Sequence, residues 1–187
     1  MSRDDSNLLN FETPIIFADG TKFWNKITDK YVTHKKGFFI LGPSGSGKTH
    51  FVKNQQEKHW IDGDELWEGA NSAPAGEWWL RSGEDIGVID SRSDVITTQA
   101  KLLGLWVVGA SASWIKPDAI VIPHWSTHKK YIKYREQHGY DGGAKSDAFA
   151  QVLWHRRWIM KYAKQGVPQF KTVQEAADYL AKLEESA

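Results

Sequence analysis

The sequence predicts a three-layer α/β fold, a parallel sheet with helices on both faces. Short apolar runs alternate with longer helix-forming segments along most of the chain, the order that builds a parallel sheet through helical crossovers. The runs are apolar at consecutive positions rather than alternate ones, as strands buried on both faces require. Glycine, proline or an acidic residue closes most of these runs, which separates them from the helices that follow.

Residues 1–36 carry scattered apolar positions with no clear period, apart from a short helix expected over 21–28. The first strand is expected at 37–41 ("GFFIL") and a helix from Lys48 to about Glu57. "KHWID", residues 58–62, reads as a second strand ending in the acidic turn "DGDELW". Residues 68–88 are rich in Gly, Ser, Ala and Glu and read as mostly loop, followed by a helix over 94–103 that Gly104 stops. "LWVVGAS" (105–111) and "DAIVIP" (118–123) are two further buried strands. A helix then starts near Ser126, "HGYDGGAKS" interrupts it, and "DAFAQVLWHRRWIMKYAKQ" forms another that Gly166 and Pro168 end. "QF" at 169–170 makes a short last strand, and Thr172 with Glu175 gives a capping box for a final helix over 173–183.

At 187 residues the chain is expected to be one domain with its own core. Lys+Arg 24 against Asp+Glu 23 leaves a net charge of +1, so total charge demands neither nucleic acid nor an acidic membrane as partner. The absence of cysteine excludes disulfides and thiolate metal sites. The N-terminus has no apolar signal region and no run is long enough to span a bilayer, so a soluble, cytoplasmic protein is expected. The ten tryptophans are assigned mainly to packing.

The strongest chemical signal is Gly42-Pro43-Ser44-Gly45-Ser46-Gly47-Lys48-Thr49, which satisfies the phosphate-loop pattern G-x-x-x-x-G-K-[ST] in full. It stands between a buried strand and a helix, the context its mechanism needs. The glycines let successive N–H groups turn toward a phosphate, and the helix start adds further donors. Lys48 is expected on the β- and γ-phosphates of ATP, and the Thr49 hydroxyl on Mg²⁺.

Two carboxylates, Asp62 and Asp64, leave the end of the second strand. Carboxyl ends of parallel strands gather ligands, so both should face the phosphate loop. Asp62 is assigned to the metal and Asp64 to the acceptor, as the general base that takes a hydroxyl proton.

"GPSGSGKT", "IDGDELW", "WVVGASASW", "AIVIP" and a basic helix, in this order over residues 37–157, resemble the small P-loop kinases of the nucleoside-monophosphate-kinase-like group, in particular the gluconate-kinase and shikimate-kinase branches. The resemblance implies a P-loop NTPase fold with a five-stranded parallel core, ATP with Mg²⁺ as donor, and a basic lid that closes over the phosphates. The lid would be residues 126–145, with Lys129, Lys130, Lys133 and Arg135; Arg135 matches the lid arginine that bears the moving charge. Glycines 139, 142 and 143 would hinge it. Where a gluconate kinase carries His-Pro after the acidic turn, this chain has Trp67-Glu68, which argues against gluconate.

The acceptor itself stays open: a small molecule, a nucleotide or a nucleic acid. Residues 87–103 also resemble an adenylate-kinase segment, in which Asp90 would end a strand on the magnesium side and Arg92 and Gln99 would hold a nucleotide acceptor; the plainer reading makes Asp90 part of a helix cap. Arg81 is a further substrate-side candidate, and Trp67, Trp78 and Trp79 could stack on a base. An ATP-driven motor or switch is the alternative class, and it needs "IGVID" to be a strand ending at Asp90. His124 and His128 stand four apart without a third ligand, so no histidine metal site is expected. "HRRWIMKYAKQ" mixes bases with aromatics and could touch nucleic acid, although its pattern suits a helix packed on the sheet.

Overall fold

The structure is a computed structural model that describes residues 15–16, 22–23, 30–70, 72, 83–140 and 142–186. Its centre is a five-stranded, all-parallel sheet of β3 (Phe38–Leu41), β4 (Trp60–Asp62), β5 (Trp106–Gly109), β6 (Ala119–Val121) and β7 (Gln169–Phe170), in the order β4-β5-β3-β6-β7. Two short strands, β1 (Ile15–Ile16) and β2 (Lys22–Phe23), pair antiparallel ahead of it. The second of these falls inside the helix expected over 21–28, so that helix does not form as such; residues 24–29 lie outside the described residues.

Alternate residues of each strand feed two cores. Phe39, Leu41, Ile61, Val107 and Ile120 point to α2 (Gly63–Gly69), α3 (Gly83–Leu102) and α5 (Phe149–Lys164), where Leu66, Ile96 and Ile159 are fully buried. Phe38, Ile40, Trp60, Trp106 and Val108 point the other way, to α1 (Lys48–Asn54) and α6 (Val173–Glu185). This two-sided burial is why the strands read as continuous apolar runs. Trp106 also stacks on His34, with ring centroids 3.5 Å apart, and its indole N–H donates to the Lys36 carbonyl at 2.9 Å.

Two expectations are corrected. The acidic turn after β4 is instead the start of α2: Asp62 caps it, accepting the Asp64 N–H at 3.0 Å. The helix expected over 94–103 begins much earlier, at Gly83, so "IGVID" is helical and Asp90 ends no strand. Polar residues that interrupt the apolar inner face of α3, beside Ile89, Ile96 and Ala100, account for the difference. Ser93, Asp94 and Thr97 are buried there, and Thr97 Oγ1 accepts the Trp67 indole N–H at 2.9 Å. Asp94 Oδ2 accepts three backbone N–H groups, from Ser113, Trp114 and Ile115, at 2.7 to 3.0 Å.

The last helices follow expectation closely. The chain leaves β6 into α4 (Trp125–Gln137), passes through a short 3-10 turn (Ser146–Ala148) and enters α5; Thr172 caps α6 through the Glu175 N–H at 3.1 Å. Among the described residues, no helix is long and apolar enough to cross a membrane.

Candidate functional site

Residues Gly42–Thr49 run from the carboxyl end of β3 into α1. The strands that follow β3 directly, β4 and β5, lie to one side of it, and β6 and β7 lie to the other. Such a reversal of strand order opens the crevice where parallel sheets hold ligands. The Gly42 N–H donates to Gly109 O at 3.0 Å, tying the loop to the end of β5, and the Ser46 N–H returns to Pro43 O at 3.2 Å. Gly45 and Gly47 have φ of +80° and +95°, which side chains rarely tolerate. A Cβ on Gly45 would also come within 2.7 Å of Ile132 Cγ1, so α4 rests directly on the loop.

Lys48 Nζ donates to Pro43 O at 2.6 Å and to Ser46 Oγ at 3.4 Å. Burial by the surrounding walls lowers its pKa to about 8, against the opposing pull of Asp64 and Asp62. Thr49 Oγ1 donates to Asp62 Oδ2 at 3.2 Å, so the hydroxyl and the carboxylate assigned to the metal are brought together across 13 residues. Asp64 opens to the same cleft. Loss of water there, with Asp62 beside it, raises its carboxyl above the usual range, while Lys48 pulls the other way. A carboxylate made more basic is a better proton acceptor.

Oxygen donors of this kind suit a hard cation. Among the described residues no three His, Cys, Asp or Glu side chains stand together as a complete metal cage. Thr49 and Asp62 therefore fit Mg²⁺ in the way it is held beside phosphates, with few protein ligands and the remainder from phosphate and water.

Arg135 reaches the loop from α4. Its guanidinium lies over the Tyr140 ring at 4.6 Å, donates to Ala144 O at 3.4 Å, and would stand 3.5 Å from a Cβ placed on Gly45. The stretch expected to be a hinged lid is anchored here: the Ala144 N–H donates to Ser44 Oγ at 2.9 Å, and Ile132 is fully buried. Lys130 lines the cleft, Lys129 lies over the Trp125 ring at 5.5 Å, and Lys133 is exposed.

The substrate-side candidates divide. Asp90 lines the cleft, from a helix rather than a strand end. Arg92 and Gln99 share that helix but do not line the cleft, and Arg81, Trp78 and Trp79 lie outside the described residues. Trp67 is fully buried beneath Gly63 and Gly109 and offers no face for stacking.

Three residues at the site carry no motif. His128, buried in α4, places Nε2 at 2.8 Å from Ser44 O and Nδ1 at 3.0 Å from Arg156 Nη1, and Arg156 also donates to Pro123 O at 2.8 Å. His155 of α5 lines the cleft and bonds the Ala110 backbone. Burial first, then nearby cations including Lys48, lowers both histidines to about 4, so both are neutral at pH 7. Only the packing of α4 and α5 over the loop brings them there; no sequence spacing announces it.

No protein-family model matches the chain, and a search of curated proteins finds no match.

Proposed function

We propose that the protein is an ATP- and Mg²⁺-dependent phosphotransferase that moves the γ-phosphoryl group to a hydroxyl. The observation that carries this reading is the convergence on one cleft of Lys48, the Thr49–Asp62 pair and Asp64, at the carboxyl ends of β3 and β4. A loop built only to bind nucleotide needs no second carboxylate two residues beyond the metal-side acid.

In this reading the glycine loop and Lys48 hold the β- and γ-phosphates. Thr49 and Asp62 would hold Mg²⁺, which would supply charge neutralisation when bound. The acceptor hydroxyl oxygen bonds to the γ-phosphorus as the bond to the β–γ bridging oxygen breaks. The hydroxyl proton passes to the Asp64 carboxylate, and ADP leaves with the bridging electron pair. Arg135 stabilises the charge that gathers on the bridging oxygen. Neutral His128 keeps the loop backbone in place without adding charge beside Lys48.

The rival readings lose their supports. A nucleotide acceptor on the adenylate-kinase pattern requires Arg92 and Gln99 in the cleft, and neither lines it. A motor or switch requires a strand ending at Asp90, which is helical.

Calorimetry of Mg-ATP binding tests the donor half. The native chain binds, and Lys48→Ala binds on the order of a hundredfold more weakly, the value of one charge-assisted contact to phosphate. Equal affinity in both proteins would remove the basis of the reading.

A further inference from the structure

Past Lys48 the cleft continues between α3 and α5, walled by Asp90 of α3, Ser111 after β5, and Gln151, His155 and Trp158 of α5. Charge is divided sharply along it. Of the lining cations, Lys48 and Lys53 belong to α1, Lys130 and Arg135 to α4, and Lys145 and Lys171 to the segments flanking α5 and α6. Among the described lining residues of α3, the 109–112 segment and α5, none is a lysine or arginine. Asp64 and Asp90 both line the cleft.

Asp90 also has an unmet need. Its Oδ1 is buried without a hydrogen-bond partner, a rare state for a carboxylate in a finished interior. Burial, with Asp94 one helical turn on, pushes its carboxyl up to about 7. Asp94 Oδ1 is also buried without a partner, but Asp94 does not line the cleft and its Oδ2 holds the Ser113–Ile115 backbone. Neutral His155, beside the Ala110 backbone, keeps one ring nitrogen without a proton, an acceptor. Asp64, neutral His155 and the charged form of Asp90 present acceptors, and a ligand that brings donors holds Asp90 in that charged form. An anionic group bound here would meet the charged form of Asp90 with no lysine or arginine among the described lining residues of α3 or α5 to offset it.

On the phosphotransferase reading, we infer that this arm seats the phosphoryl acceptor, and that the acceptor is an alcohol rich in further O–H or N–H donors with no anionic group. Asp90 and His155 take those donors, Trp158 covers an apolar face of the ligand, and the reacting hydroxyl meets Asp64. Polyols, amino alcohols and free nucleosides share this chemistry; sugar acids and nucleoside monophosphates do not.

The test measures Tm shifts with a non-hydrolysable ATP analogue and Mg²⁺, then adds each of those five compound sets, and follows with turnover of the compounds that bind. At least one uncharged or cationic set raises Tm further, and its kcat/KM exceeds that of the matched anions by about tenfold or more. Asp90→Asn raises KM for that acceptor about tenfold while KM for ATP is unchanged, the loss of roughly one charged hydrogen bond. His155→Phe, which keeps a ring and removes the acceptor nitrogen, gives a second acceptor-side KM effect if the first variant is unstable. A preference for anions, no Tm response to any set, or an unchanged acceptor KM in both variants overturns the inference. If the ATP analogue itself does not bind, the phosphotransferase reading fails and takes this inference with it.

Discussion

His128 and Ser44, 84 residues apart, are joined by a 2.8 Å contact from the imidazole Nε2 to the loop carbonyl. Since Nδ1 faces the Arg156 guanidinium, which only donates, the proton sits on Nε2 and the ring is neutral. A charged ring would be repelled by Arg156, Lys48 and Arg135. The unfolded chain takes up this proton near pH 6.5, the folded chain only near 4. Between those values the unfolded state binds more protons, so stability falls as pH is lowered from 6.5 to 4. His155 acts in the same direction. Urea unfolding at pH 7 and pH 4.5 should show a loss on the order of 3 kcal/mol from His128 alone. His128→Gln, which can still donate to Ser44 O, should flatten the profile; an equally steep profile would separate the acid sensitivity from this contact.

Gly45 and Gly139 both have positive φ, +80° and +79°, but only Gly45 is crowded. Gly139→Ala meets nothing within 4 Å and should cost only backbone strain, about 1 kcal/mol. Gly45→Ala adds a clash with Ile132 and should cost more and weaken ATP binding at least about tenfold. Calorimetry and urea unfolding on the pair check both outcomes, and equal effects would show that α4 does not press on the loop.

Asp62 does two jobs, capping α2 and accepting from Thr49. Asp62→Asn keeps an acceptor for the Asp64 N–H and removes only the charge. Its fold should be intact by circular dichroism, while the Mg²⁺ concentration for half-maximal activity rises about tenfold or more. Thr49→Ala should shift the same titration. An unmoved Mg²⁺ dependence in both would remove the metal assignment.

Asp94 is a structural counterpart to Asp64. One buried oxygen satisfies three N–H groups of the segment that follows β5. Asp94→Ala leaves three donors stranded and should cost at least about 3 kcal/mol in urea unfolding. A loss under about 1 kcal/mol would mean that water reaches those donors.

The sheet was legible in the sequence because both its faces are buried: "FFIL", "WVVG" and "AIV" need no alternation to be read. The glycine loop was legible because its glycines and Lys48-Thr49 stand at fixed spacing between a strand and a helix, and the α6 cap because Thr172 and Glu175 are local partners. Helix α3 was hidden because buried, hydrogen-bonded Ser93, Asp94 and Thr97 interrupt the apolar inner face that Ile89, Ile96 and Ala100 form. His128, Arg156 and His155 were hidden for another reason. Their roles depend on two helices meeting over a loop from the other end of the chain, and no local pattern encodes that meeting.

The central claim is that a phosphoryl group leaves ATP for a hydroxyl at this cleft. The direct measurement follows γ-labelled ATP with Mg²⁺ and an alcohol panel, in the native chain, Lys48→Ala and Asp64→Asn. The account predicts label on an acceptor oxygen in the native chain, none with Lys48→Ala, and, with Asp64→Asn, transfer slowed on the order of a hundredfold or more while ATP binding is retained. Label released only as inorganic phosphate, or transfer undiminished in Asp64→Asn, would contradict it.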